Sequence, residues 1–189
     1  MDAIELLLSR ASQGKLRDPA PSDEALWRAL SAAVRAPDHA LLRPWRFQLI
    51  RGDARARFGE VLREALLRRN PNASAAELDK AQRKPLRAPL LIVVSSHVRP
   101  HPKAPEIEQV LSAGAAAQNI LLALHAQGFA GMWRTGEPAY DAFVKRALGL
   151  RDTDAIVGFL YAGTPAAPFP SIERPDPRAY VQDWTEPAA

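Results

Sequence analysis

Apolar positions recur along this chain at helical spacing in some stretches and at strand spacing in others, with turn residues between them. Asp2 precedes Ile4, Leu7 and Leu8, which share one face of a short first helix. The polar stretch Arg10-Ala11-Ser12-Gln13-Gly14-Lys15 follows, then the turn Asp18-Pro19-Ala20-Pro21. A second helix starts near Ser22, with Asp23 and Glu24 in its first turn, where acids suit the dipole. Ala25, Leu26, Ala29, Leu30, Ala33 and Val34 keep its spacing, and Pro37 closes it. Arg46 to Ile50 alternates as a strand and stops at Gly52. Asp53 to Arg69 reads as a charged surface helix striped by Phe58, Val61, Leu62, Ala65 and Leu66. Ser74 and Glu77 have capping-box spacing at the head of another short helix. Leu90 to Ser96, rich in Ile and Val, predicts a central strand. Glu106 to about Gln127 predicts a helix about 33 Å long, capped by Gly128. Phe129 to Arg134 is a third strand, Tyr140 to Leu148 a last helix ended by Gly149, and Ala155 to Tyr161 a fourth strand closed by Gly163-Thr164-Pro165.

The elements make a mixed α and β domain of four or five strands and five or six helices, with no tight hairpin. One helix changes the picture further. From Gln109 to Trp133 there is no Asp, Glu, Lys or Arg, so this helix needs cover on several sides. One small sheet does not supply that, which predicts a homodimer. A membrane span is excluded by Gln109, Ser112, Gln118, Asn119, His125 and Gln127 within the run and by the break at Gly128. The helix reads as the core of a soluble, cytoplasmic protein. Positions 1–189 form a single domain, whose end, from about 165 to 189, is an extended tail. Six of the 17 prolines fall there, and the tail is expected to wrap over a surface.

Composition narrows the chemistry. With 47% hydrophobic and 24% charged residues over 189 positions, the chain forms a core and is not disordered. It has no cysteine, which removes disulfides, thiolate metal sites and a cysteine nucleophile. Any redox chemistry must therefore use a bound cofactor. The net charge is only +4, and the longest arginine run is Arg68-Arg69, so no polybasic stripe marks a nucleic-acid interface. The opening Met1-Asp2-Ala3-Ile4-Glu5 has acids where a secretion signal needs cations.

Several motifs are absent. No glycine pair is spaced G-x-G, and no G-x-S-x-G elbow occurs. Gly131 and Gly136 have P-loop spacing, but Glu137 follows where lysine must stand. His97 and His101 flank Pro100 with no acidic ligand close in sequence, so they read as a surface loop and no metal site is expected. Three clusters remain. Arg10, Ser12 and Lys15 at a helix end have the donors of a phosphate site, or form a solvated loop. Arg35-Ala36-Pro37-Asp38-His39 ends a helix with a cation and a ring donor, for a ligand or as capping chemistry. Trp133-Arg134-Thr135, after a strand carrying two glycines, offers a cation and a hydroxyl at one turn, for an anion or for an internal carboxylate.

Taken together and in this order, these segments resemble the nitroreductase family of FMN-dependent oxidoreductases, in its compact form. The resemblance runs nearly end to end. It includes Met1 to Leu7, Arg35 to His39, Pro44-Trp45, Arg87-Ala88-Pro89-Leu90, Ser112-Ala113-Gly114, Ala126 to Phe129, Trp133-Arg134 and Val157 to Tyr161. It implies an α+β fold with a central, mainly antiparallel sheet of four to five strands surrounded by helices, in a homodimer with active sites at the interface. It further implies that Arg10, Ala11, Ser12 and Lys15 contact FMN together with Trp133, Arg134 and Thr135, and that Arg35 and His39 come from the partner chain. Ala123 to Gly128 matches a stretch assigned to the nicotinamide substrate.

The implied activity is ping-pong hydride transfer from NAD(P)H through flavin N5 to nitroaromatics, quinones or related acceptors. Such chemistry needs no nucleophile or acid–base pair, and no catalytic side chain is named. The family pattern usually has paired arginines where this chain has Arg10-Ala11, and a later Arg where it has Lys15. Arg17 is the candidate to make up the lost cation. Thr135 stands where Ser is usual and keeps the hydroxyl. The other classes are a non-catalytic FMN-binding or interaction dimer, prompted by Ala11, and a nucleic-acid-binding dimer, prompted only by the basic composition.

Overall fold

The structure, a computed structural model, describes residues 2–185. Six α-helices and five strands occur in the order α1 (Ala3–Ser9), β1 (Leu16–Arg17), α2 (Asp23–Ala33), β2 (Trp45–Arg51), α3 (Ala54–Arg69), α4 (Ala75–Gln82), β3 (Leu90–Ser96), α5 (Glu106–Ala126), β4 (Ala130–Arg134), α6 (Ala142–Ala147) and β5 (Ala155–Pro165). The sheet order is β1-β5-β3-β2, with β4 also on β5, and every pairing is antiparallel. The fold is α+β, as expected.

β3 is buried at every position because both faces of the sheet are covered. Leu90, Ile92 and Val94 pack with Leu26, Ala29 and Leu30 of α2 and Ala113, Ala116, Ala117, Ile120 and Leu124 of α5. Leu91 and Val93 face the opposite layer, with Ile50, Phe58, Leu62, Phe159 and Tyr161. Each fully buried Leu or Ile there contributes about 1.5–3 kcal/mol. By length and composition α5 is apolar enough to cross a membrane, yet it lies in this core as predicted.

Local signals decide several helix starts. Ser74 Oγ accepts from the Glu77 amide at 3.3 Å while Glu77 Oε2 accepts from the Ser74 amide at 2.8 Å, which completes the capping box. Asp141 accepts from the amides of Phe143 and Val144, so α6 begins after it and Tyr140 stays outside the helix. Two strand expectations change. β5 does not stop at Tyr161 but runs to Pro165, because its far end pairs with β1, Leu16 against Pro165 and Arg17 against Thr164. That two-residue strand was not expected at all. A bulge sits at Val157, between Ile156 opposite Ser95 and Gly158 opposite Val94.

Several apolar faces are left uncovered. α1 has no buried residue, and its Ile4, Leu7 and Leu8 are 64%, 52% and 73% exposed. Trp27 of α2, Ile107 and Leu111 of α5, and Tyr180, Val181 and Trp184 of the tail are also exposed.

Candidate functional site

β4 sends its side chains alternately to the two faces of the sheet. Trp133 turns toward α5 and lies over Gly158, and its Nε1 donates to the carbonyl that the bulge frees at Val157, at 3.1 Å. Arg134 turns the other way, with its guanidinium carbon 5.7 Å from the centre of the Tyr161 ring. Thr135 and Gly136 then make the turn. Gly136 has φ 76°, a left-handed conformation that glycine adopts without strain.

On the Arg134 face is a cavity of about 410 Å³. Phe58, Phe159 and Tyr161 form apolar wall, and Thr135, Arg134, Lys84 and Arg87 bring polar groups to it. Lys84 and Arg87 arrive on the single 3-10 turn Lys84–Arg87 just before β3. Among the described residues, Lys84, Arg87 and Arg134 have no hydrogen-bond acceptor and no carboxylate within ion-pair distance. Burial and the charge of Arg87 hold the Lys84 ammonium below its ordinary pKa. Burial raises the Tyr161 hydroxyl, while Arg134 and Arg87 oppose that shift. Three unneutralised cations converging on one concave surface favour an anionic or electron-rich ligand.

A larger cleft of about 890 Å³ lies nearby, between the start of β5 and the His97–Pro105 loop. Its cations are already engaged. Arg151 pairs with Asp154 at 2.7 Å, Lys145 donates to the Asp152 carbonyl and Arg99 to the Leu42 carbonyl. Among the described residues no group of His, Asp and Glu is arranged to hold a metal ion.

The predicted N-terminal cluster runs along the edge of β4. The Gln13 amide donates to the Gly131 carbonyl at 3.1 Å. A Cβ on Gly14 would lie 3.2 Å from Met132 Sδ and 3.4 Å from Arg134 Nη2. The segment that carries Arg10, Ala11, Ser12 and Lys15 thus runs beside the strand that carries Trp133 and Arg134 and leads into Thr135. Ala11 is buried, whereas Lys15 and Arg17 are exposed. Arg10 lines a small crevice with Leu121, His125 and Gly131. Burial, and then the neighbouring Arg174, lower its pKa. Burial and Arg10 lower that of His125, which lies 3.2 Å from Ser9 Oγ. In the Ala123–Gly128 stretch, Gln127 Nε2 donates to the carbonyls of Ala25 and Ala123, as expected of a helix end.

Arg35 and His39 lie elsewhere. His39 Nδ1 is 2.5 Å from Glu108 Oε2, near the start of α5, whereas Arg10 sits beside Leu121 and His125 near its end. The separation along the helix is about 20 Å. After His39, non-glycine residues Ala40, Leu41 and Arg43 have φ of 61°, 52° and 50°. Asp38 holds this strained segment by accepting from the amides of Leu42 and Arg43 at 3.1 and 2.7 Å.

Sequence reasoning did not single out Lys84 and Arg87, which line this candidate cavity. Their signal was Arg83-Lys84-Pro85-Leu86-Arg87, cations on a proline-bent turn just before an all-apolar strand, where they must emerge at the end of the sheet.

Comparison with known proteins gives a consistent result. The Nitroreductase family model matches residues 7–164. The chain is 43% identical over 182 residues to "Putative NAD(P)H nitroreductase YdjA" of Escherichia coli (strain K12), covering 96% of this chain and 98% of that one. It is 36% identical over 165 residues to a similarly named Haemophilus influenzae protein, covering 87% and 89%. Among solved structures, a nitroreductase-like protein from Bacillus cereus superposes with a TM-score of 0.84 at 21% identity, over 97% of this chain and 96% of that one. A Desulfovibrio desulfuricans chain solved in complex with FMN superposes with a TM-score of 0.73 at 25% identity, over 98% and 99%.

Proposed function

The chain belongs to the nitroreductase family, and from that premise we propose that it is an FMN-dependent NAD(P)H oxidoreductase, a cytoplasmic homodimer acting on nitroaromatic, quinone or related acceptors. The observation that carries this reading is the set of unpaired cations, Lys84, Arg87 and Arg134, on a half-apolar cavity beside Thr135. Such a set suits the pyrimidine edge of a flavin. When bound, FMN would supply the hydride acceptor and donor that the amino-acid side chains lack.

The chain's own residues hold and bias that cofactor. Arg10, Ser12 and Lys15 would take its phosphate and ribityl end. Lys84, Arg87 and Arg134 would place positive charge where the reduced ring is anionic, which favours reduction. Trp133, fixed by its bond to Val157, holds the turn that presents Thr135 and Gly136. The uncovered faces of α1, α5 and the tail supply apolar surface for a second copy. Arg35 and His39 of that copy would close the site, consistent with their distance from Arg10 in one chain.

Purified protein tests the reading directly. Yellow protein, or colourless protein that binds added FMN, and acceptor-dependent oxidation of NADH or NADPH are expected. FMN binding without oxidation by any nitroaromatic or quinone would favour the binding-only reading. No flavin binding at all would end both. A monomeric mass with FMN bound would refute the interface site.

A further inference from the structure

The cavity beside Arg134 holds more positive charge than a flavin takes up. No Asp or Glu is among the residues that line it, and Lys84, Arg87 and Arg134 have no acceptor of their own among the described residues. Glu137, the acid whose charge acts on Lys84, is held by Arg69 at 3.0 Å. An oxidised flavin ring brings no charge, and a reduced one brings a single negative charge at its pyrimidine edge. Two of the three cations are guanidiniums, which stay charged at every working pH. With the flavin in place, in either state, at least one positive charge is therefore left over.

The same cavity carries one further polar group. Tyr161 is only 6% exposed, and its ring stands in the wall with Phe58, Leu62 and Phe159. Its hydroxyl has no hydrogen-bond partner among the described residues. Burial keeps that hydroxyl protonated against the pull of Arg134 and Arg87, so it donates. Arg87 is the cation whose charge reaches both Lys84 and Tyr161. An aromatic wall beside a surplus cation and a neutral hydroxyl donor suits a flat ring that ends in a carboxylate. The ring packs on the wall, and the carboxylate accepts from the guanidinium and the hydroxyl. A neutral ring of the same size gains the wall contacts alone.

We propose that Arg87 and Tyr161 select the acceptor by charge, and that the acceptors of this protein are aromatic nitro compounds or quinones that carry a carboxylate. This rests on the flavin reading above and deepens it by naming which acceptors that site takes. With 4-nitrobenzoate, NAD(P)H gives up a hydride by way of the flavin and solvent gives a proton. One N–O bond breaks, the nitro group becomes a nitroso group and one water leaves, while NAD(P)H is oxidised to NAD(P)+. The carboxylate is unchanged throughout, so Arg87 and Tyr161 are specificity residues and take no part in the electron transfer.

The test uses the FMN-loaded full-length protein with two pairs of probes. The first is 4-nitrobenzoate against the neutral 4-nitrobenzamide, read as the ratio of their kcat/KM values, in which differences in flavin content or potential cancel. The second is benzoate against benzamide, which lack the nitro group, read as dissociation constants by calorimetry. The wild-type protein is expected to bind benzoate about tenfold more tightly than benzamide, and the preference should fall as salt rises. Arg87→Gln and Tyr161→Phe should shift the kcat/KM ratio toward the amide, by about fivefold and about threefold, and Arg87→Lys should keep most of the preference. Arg87 is exposed and Tyr161→Phe keeps the buried ring, so both variants should fold. Equal wild-type affinity for benzoate and benzamide would overturn the proposal and leave the flavin reading standing. So would a ratio that neither variant changes, or an equal loss on both acceptors, which would give Arg87 to the flavin alone. Protein that binds no FMN would overturn the flavin reading as well.

Discussion

Gly158→Ala tests the support of the site at the level of single atoms. A Cβ built on Gly158 falls 2.1 Å from Trp133 Nε1, 2.6 Å from Cδ1 and 3.0 Å from Cε2. Ordinary contact begins at 3.4 Å, so the indole must move by about 1 Å or more. It then leaves its rotamer, at about 0.5–1.5 kcal/mol. It also loses the 3.1 Å bond to the Val157 carbonyl, worth about 1 kcal/mol, and presses on its neighbours for about 1–3 kcal/mol. Alanine returns about 0.5–1 kcal/mol by restricting the unfolded chain. The net expectation is a loss of about 1.5–5 kcal/mol in urea unfolding of the apoprotein, with weaker FMN binding because the displaced strand carries Arg134 and Thr135. The double variant with Trp133→Leu separates the causes, since removing the indole removes the clash. The two changes should then cost at least about 1 kcal/mol less together than their sum. A Gly158→Ala cost below about 0.5 kcal/mol, or strict additivity, would refute the packing described for Trp133.

Other outcomes follow from the same geometry. Lys84→Met should raise apoprotein stability by about 0.5 kcal/mol, because it removes the desolvation of a half-buried ammonium and then its repulsion from Arg87, while weakening FMN binding and lowering the potential of the bound flavin; unchanged potential and affinity would remove Lys84 from the site. Ala40→Asn, at φ 61° and ψ 16°, should add about 0.5–1 kcal/mol in urea unfolding, since Asn tolerates the left-handed region better, and a loss would contradict that backbone. Asp154 is buried, which pushes its carboxyl pKa up, but hydrogen bonds from Arg151 outweigh burial and hold it below its ordinary value. Its contribution is therefore full above about pH 4 and is lost as pH falls through the depressed value. Asp154→Asn should cost about 1–3 kcal/mol at pH 7, discounted because Arg151 is half-exposed, and should flatten the acid limb of the stability profile; an unchanged limb would assign that limb to other carboxylates.

The parts of the fold legible in the sequence were those decided by neighbours along the chain. β3 announced itself as an unbroken apolar run, α5 as a long uncharged helix, and the cap at Ser74 by its spacing to Glu77. β1 was not legible because two residues carry no period; Leu16 and Arg17 are a strand only because Thr164 and Pro165 lie beside them. The same pairing carries β5 through Gly163 and Pro165, residues that read locally as a stop. The face of α1 formed by Ile4, Leu7 and Leu8 was predicted correctly, but the sequence does not say whether its own chain covers it, and this chain does not. At the candidate site, Arg10 to Lys15 and Trp133 to Thr135 were visible as clusters, while Lys84 and Arg87 reach the cavity beside Arg134 only through the sheet.

Where charge is left unpaired matters more than how much there is. Several surface arginines are neutralised by nearby acids, Arg28 by Glu24, Arg68 by Glu64, Arg83 by Asp79, Arg178 by Asp176, and Arg51 by Asp23 across the gap from β2 to α2. Arg69 bridges Glu137 and Asp141, which leaves Glu137 outside ion-pair distance of Lys84. The acids of this region are therefore drawn to the outer rim, while Lys84, Arg87 and Arg134 face the cavity without one. A nucleic-acid surface needs free cations repeated along an exposed face at phosphate spacing. Here free cations instead gather in a cavity of about 410 Å³. That distribution suits the flavin proposed above better than a nucleic acid, and it is reached with a net charge of only +4.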